Sequence, residues 1–216
     1  MKIKPLLLVA LCLLELSAAM PAAAQLSRPA PGDPSARTAL ELMPANAKLV
    51  VSSPAFRAGE LIPFEYTQYR SNTFPGLTWS PGPAGTKSYA IIMQDSSLTL
   101  RGAPILHWTM FNIPAQLTSL PRGMTPEAKP QGSAYGPNYK GAATPYTGPR
   151  TPPGPGDDYH FQVFALDAAL PTEAAASYET LSQAMRGHVL ASGEIVGRGI
   201  VDPDLEPRPP QRTPAQ

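Results

Sequence analysis

The chemistry this chain could carry is concentrated in a few residues: Asp95, His107 and Asp157. Asp95 ends the apolar run Ser88 to Asp95, S-Y-A-I-I-M-Q-D, and His107 opens the run Leu106 to Pro114, L-H-W-T-M-F-N-I-P. Asp157 and Tyr159 stand at the head of a third run, Y-H-F-Q-V-F-A-L, from Tyr159 to Leu166. A carboxylate beside an imidazole can pass a proton, form an ion pair or orient a small polar ligand. Just ahead of the third run lie Gly148-Pro149 and Pro152-Pro153-Gly154. Such a stiff rim beside a histidine and carboxylates suits a small-ligand pocket. The plainer reading is that the prolines only restrict the unfolded chain. Whether Asp95 and His107 meet stays open at this level. As antiparallel neighbours they are expected at opposite ends of their strands, whereas a parallel crossover would bring them together.

Other chemistries lack their signatures. The sequence has no G-x-S-x-G elbow, no H-E-x-x-H and no phosphate-cradling G-x-x-x-x-G-K. His107, His160 and His188 share no metal-ligand spacing, so no metal and no cofactor is expected. The start of the chain reads as an export signal. Lys2 and Lys4 precede a short apolar run from Leu6 to Leu14, and Ala22-Ala23-Ala24 offers a cleavage site before Gln25. That run is too short to anchor the chain across a bilayer, and a periplasmic or secreted protein is expected. Cleavage would remove Cys12, the single cysteine, and with it any disulfide or thiol chemistry. It would also take the 17 basic and 16 acidic residues to 15 of each by removing Lys2, Lys4 and Glu15. A neutral mature chain argues against nucleic acid or a polybasic membrane surface as partner.

The elements that must position these residues are mostly strands. Alternation in Leu106 to Pro114 sends His107, Thr109, Phe111 and Ile113 one way and Trp108, Met110 and Asn112 the other, so this strand is covered on both faces. Further strands are expected at Lys48 to Ser52, Leu61 to Tyr66, Leu77 to Trp79 and Val189 to Val196. Pro63 puts the Leu61 strand at an edge. One helix is expected after Ser177, with Tyr178, Leu181 and Met185 on one face and Gly187 at its end. Prolines and glycines make up 16 of the 38 residues from Pro121 to Asp158. The interleaved Tyr135, Tyr139 and Tyr146 mark that segment as an ordered lid or rim. The domain division expected is 1–24 signal peptide, 25–43 flexible leader, 44–201 a mainly β domain and 202–216 a disordered proline-rich tail.

Four motifs in order resemble one family. They are H-W-x-x-x-N-I-P at His107 to Pro114, T-G-P-R-T-P-P-G at Thr147 to Gly154, Y-x-F-x-V-F-A-L-D at Tyr159 to Asp167, and A-M-R-G-H-V-L-A-S-G-E-I-V-G at Ala184 to Gly197. With L-x-W-S-P-G-P-A-G-T-K-S-Y-A at Leu77 to Ala90, they are similar to the phosphatidylethanolamine-binding proteins, in particular the bacterial Raf-kinase-inhibitor-like branch. The resemblance implies a β-sandwich of a large antiparallel sheet and a smaller one, with few peripheral helices. It also implies a small pocket for phosphate-type anions, such as a phospholipid head group or a phosphorylated side chain, and binding or inhibition of a partner protein in place of catalysis. Kinase inhibition belongs to the eukaryotic branch and is not expected in a bacterial envelope.

Carried over by position, Asp95 matches the first aspartate of the family's D-P-D, His107 the pocket histidine, Gly148 and Pro149 the rim, and Tyr159 the late-strand tyrosine. The resemblance implies that Asp95 and His107 meet at one edge of the pocket. Two positions depart: Ser97 stands for the second aspartate, with Ser96 for the proline, and Asp157 stands for the second pocket histidine. The literal D-P-D at Asp202 to Asp204 lies in the tail and is not carried over. Exchanging a potential cation for a carboxylate at Asp157 weakens anion binding and favours it at acidic pH, where His107 would be charged and carboxyls neutral. The rival ligand is an amine or cation held by Asp95 and Asp157. An Asp95/His107 acid–base pair in a hydrolase or isomerase, and an interaction protein with a vestigial pocket, are the alternatives from other functional classes.

Overall fold

The computed structural model describes residues 26–141 and 143–205. The expected signal peptide and the tail from residue 206 lie outside the described residues. Ten strands follow in chain order: β1 (Leu26–Ser27), β2 (Ala47–Lys48), β3 (Val51–Ser52), β4 (Leu77–Trp79), β5 (Ser88–Leu100), β6 (Ala103–Pro114), β7 (Ser119–Leu120), β8 (Ala134–Tyr135), β9 (Asp157–Leu166) and β10 (Val189–Gly199). The helices are α1 (Ala39–Leu42) and α2 (Tyr178–Met185). The large sheet runs β2-β10-β9-β5-β6-β8 with β1 paired to β5, and the small one runs β3-β4-β7. All pairs are antiparallel except β2 with β10, so the large sheet is mixed where a wholly antiparallel one was expected.

The long central strands exist because both of their faces are apolar. On the inner face Ile91, Met93, Trp108, Met110, Phe161 and Val163 pack with Leu77, Trp79 and Leu120 of the small sheet. On the outer face Ala90, Ile92, Phe111 and Phe164 pack with Leu181 and Met185 of α2 and with Ala39 and Met43. Ser177 caps α2 as expected: its hydroxyl accepts from the Thr180 amide at 3.1 Å and its own amide donates to Thr180 Oγ1 at 3.0 Å. Gly187, at φ 81°, supplies the left-handed turn after it.

Simple alternation fails along β6. Trp108, Met110 and Ile113 belong to the inner core, while Leu106 and Phe111 belong to the outer one. Two register shifts cause this. Met93 pairs with Trp108 but Gln94 with Leu106, leaving His107 as an extra residue; Ile91 pairs with Met110 but Tyr89 with Ile113. Bulges of this kind reset which face a side chain meets. At the second shift Asn112 takes φ 56°, and its amide both donates to and accepts from the Leu170 backbone, at 2.8 and 2.7 Å.

Three sequence expectations change. Leu61 to Tyr66 is not a strand: Leu61 makes an isolated bridge to Arg198, and Phe64–Tyr66 is a 3-10 turn that starts from Pro63. The stretch read as a flexible leader is docked from Leu26 onward. Two buried amide side chains hold it: Gln94 Oε1 accepts from the Ala39 amide at 2.8 Å and Gln162 Oε1 from the Leu40 amide at 2.6 Å. Buried amides need partners, and the first turn of α1 has free N–H groups to give. The start of the expected tail is also fixed, because Asp202 is buried and accepts from Arg70 Nε at 2.6 Å and Nη2 at 3.0 Å.

Candidate ligand-binding site

Asp95 and His107 are antiparallel neighbours, and they lie at the same end of their strands. The expectation of opposite ends fails because in an antiparallel hairpin the end of one strand lies beside the start of the next, and this holds wherever β5 stops. Here β5 continues to Leu100, and the hairpin turns at Arg101-Gly102, with φ 56° and 76°. Asp95 is therefore opposite Ile105 on one side and Tyr159 on the other.

The bulge delivers His107 to the inner face, where its ring meets Tyr159 edge-on at 5.1 Å and Tyr139 at 5.3 Å. Its Nδ1 lies 3.0 Å from the Gly148 carbonyl. A carbonyl only accepts, so Nδ1 carries the proton and Nε2 of the neutral ring presents a lone pair. Burial pushes the imidazole down to about 4, against the bond to Gly148, which favours the charged form. His107 thus stays neutral at pH 5, and the acid-side gain in anion binding expected from its charging has no source there.

The rim is built as its composition suggested. The Gly148 amide donates to Asn72 Oδ1 at 2.8 Å, and a Cβ at this position would stand 2.3 Å from the Tyr66 carbonyl oxygen, which only glycine avoids. The Pro149 carbonyl accepts from the Gln68 amide at 2.9 Å. Tyr159 shares a 3.0 Å bond with Thr151 Oγ1.

Two carboxyls complete the site. Asp95 Oδ1 accepts from the amides of Ser97 and Leu98, at 2.8 and 3.2 Å. Burial, reinforced by the charge of Asp157, still pushes Asp95 up to about 8, so it is mostly protonated at neutral pH. Asp157 is fully buried. Its Oδ1 accepts from Arg28 Nη2 at 2.7 Å, while Oδ2 is buried with no partner. Burial raises its pKa and Arg28 opposes that shift. Ser97 is structural: its carbonyl accepts from Arg28 Nη1 at 3.3 Å and its hydroxyl from the Asp158 amide at 2.9 Å.

All six sequence-predicted residues converge on this end of the sheet. The residue missed is Arg28. It reaches Asp157 from 129 positions away, out of a proline-rich segment with no periodic pattern. A cation from the leader thus pairs with a buried carboxylate at this end of the sheet. Among the described residues no group of three His, Cys, Asp or Glu side chains could hold a metal ion, and no helix is long and apolar enough to cross a membrane.

A β-sandwich with a buried carboxyl–imidazole–tyrosine cluster under a glycine-proline rim defines the class of protein. The chain belongs to the phosphatidylethanolamine-binding protein family, which it matches over residues 52–199. Its relatives support the bacterial branch. It is 36% identical over 144 residues to a UPF0098 protein of Methanothermobacter thermautotrophicus, covering 66% of this chain and 93% of that one. It is 37% identical over 131 residues to the UPF0098 protein YbcL of Escherichia coli, covering 57% and 69%. The crystal structure of Escherichia coli YbcL, described as a new member of the mammalian family, superposes with a TM-score of 0.65 at 30% identity and covers 72% of this chain and all of that one. A homologue from Chlamydia trachomatis, CT736, gives 0.61 at 28% identity, with 73% and 100% coverage.

Proposed function

We propose that this chain is an exported, non-catalytic binder of a small phosphate-type ligand, seated at Asp95, His107, Asp157 and Tyr159 under the Gly148-Pro149 rim, and that the loaded protein modulates a partner protein. The observation that carries the reading is Arg28. Its guanidinium is part-exposed beside the site, offsets the charge of Asp157 and so lowers the cost of seating an anion there. Protonated Asp95 adds an O–H donor on Oδ2, the oxygen not bound to the backbone. His107 Nε2 and Asp157 Oδ2 only accept, so the inward end of the ligand must bring donors. An ammonium or hydroxyl attached to a phosphate meets both demands.

Calorimetry with phosphoethanolamine at pH 6 and pH 9.5 tests the reading. Binding is expected at pH 6, weaker by several-fold at pH 9.5 as Asp95 ionises, and lost in Arg28→Ala. Equal, tight binding at both values would overturn it. His107→Ala is expected to lower affinity; turnover of any ligand that this variant abolishes would favour the Asp95/His107 acid–base alternative instead. The unpartnered Asp157 Oδ2 favours a second reading, in which an amine alone is the ligand. Ethanolamine would then bind without phosphate, and better at pH 9.5.

A further inference from the structure

A second constellation lies on the outer face of the same sheet. Because side chains alternate, the residues next to Asp95 and Tyr159 point away from the pocket. Those residues are Ser96 and His160. Ser96 Oγ is 2.8 Å from His160 Nε2, and His160 Nδ1 is 2.9 Å from Glu194 Oε2. Glu194 comes from β10, opposite Gln162. A carboxylate can only accept, so Nδ1 carries the proton and Nε2 is left to receive the one on the Ser96 hydroxyl. Hydroxyl, imidazole and carboxylate in this order form the relay that activates a serine nucleophile, and that relay is recognised by geometry rather than by chain order.

Access fits the geometry. All three side chains are part-exposed and line a cleft of about 510 Å³, whose opposite wall is the docked leader at Gly32, Asp33, Arg37 and Glu41. Arg37 uses Nη2 to hold the Glu41 carbonyl at 3.1 Å and is the cation on this wall. The amides of Ser97 and Leu98 are committed to Asp95, so Arg37 is the group available to face a developing oxyanion.

We propose that Ser96, His160 and Glu194 form a hydrolytic site for short acyl esters, distinct from the pocket on the inner face and independent of what binds there. Ser96 Oγ bonds to the acyl carbon while its proton moves to His160 Nε2. The bond from acyl carbon to alkoxide breaks, and that proton leaves with the alcohol. Water then attacks the acyl carbon, giving its proton through His160 back to Ser96 Oγ as the carboxylic acid departs. Glu194 is a positioning residue that fixes the tautomer and orientation of the ring.

The test is a fluorophosphonate probe on the full mature chain, followed by peptide mapping. A phosphonyl adduct with loss of fluoride is expected on Ser96. No adduct at Ser96, or an adduct elsewhere only, would overturn the proposal without any variant being made. With p-nitrophenyl acetate, Ser96→Ala and His160→Gln are expected to lose turnover by roughly a hundred-fold or more. His188→Gln breaks a comparable surface pair with Asp167 and should change nothing. Glu194→Gln should lower kcat with KM unchanged, and Glu194→Asp should restore part of it. Turnover that survives Ser96→Ala would sink the proposal.

Discussion

The two faces of the large sheet meet at the dipeptides Asp95-Ser96 and Tyr159-His160, and they treat polar groups in opposite ways. Inward, Asp95, His107 and Asp157 are buried, and burial moves every one of them toward its neutral form. Outward, Ser96, His160 and Glu194 are part-exposed and joined by bonds of ordinary length. The backbone supplies both sets from the same residues in sequence. What differs is the cover: the small sheet and the rim exclude solvent from one face, while the leader roofs the other without sealing it. The leader touches both sides, with Arg28 bonded to Asp157 on the inner face and Arg37 lining the outer cleft.

That contrast can be broken or sharpened in order of effect. Trp108→Ala removes the largest buried side chain of the inner face, one that packs against Phe74 at 5.1 Å and Tyr146 at 5.9 Å. It should cost about 3–5 kcal/mol in denaturant unfolding. Second comes the pH dependence of stability. Folded Asp95 keeps its proton to about pH 8, whereas the unfolded residue loses it near 3.8, so stability falls as pH rises through that window. His107 works the other way between its folded value of about 4 and its unfolded 6.5, where stability rises with pH. The two offset each other below pH 6.5. Above it His107 no longer offsets Asp95, whose share is a loss of about 2 kcal/mol between pH 6.5 and 8. Asp95→Asn should abolish that loss and leave only the rise set by His107; an unchanged profile would place the titrating group elsewhere.

Arg28→Ala leaves Asp157 buried without its partner. Stability should drop by about 1–2 kcal/mol at pH 7 and recover as pH falls and the carboxyl protonates. The smallest effect belongs to the outer face. Glu194→Gln should change stability by less than about 1 kcal/mol, because part-exposed ion pairs are screened by water. A large loss there would mean that the outer triad braces the fold.

The sheet could be read from the chain because its central strands are covered on both sides, so Ser88 to Asp95 is a near-continuous apolar run and Tyr159 to Leu166 is aromatic and apolar on both faces. The cluster of Asp95, His107, Asp157 and Tyr159 could be named because its residues sit in or beside ordered motifs. What could not be read depends on partners far apart in sequence. Arg28 and Asp157 meet only once β1 pairs with β5 at Leu26 and Leu100. The prolines at 29, 31 and 34 resemble disorder, and nothing local says that Gln94 and Gln162 wait for the amides of α1. One local signal was present: Thr38 followed by Glu41 is a capping box, and Glu41 does accept from the Thr38 amide at 2.7 Å. Nor could the bulges be seen, since a period of two cannot announce its own interruption.

The extra residue at His107 works as a phase offset in the hairpin. On one side of it the strand counts from Trp108 inward; on the other it counts from Leu106 outward, and the leftover residue is why these two, two apart in sequence, lie on opposite faces. Substituting that residue removes an imidazole. Deleting it would leave Met93 opposite Trp108, Gln94 opposite Leu106 and Asp95 opposite Ile105 in an unbroken ladder, with no imidazole on the inner face. The ladder can therefore close with or without this residue, and what the insertion adds is a ring set on the inner face beside Tyr159.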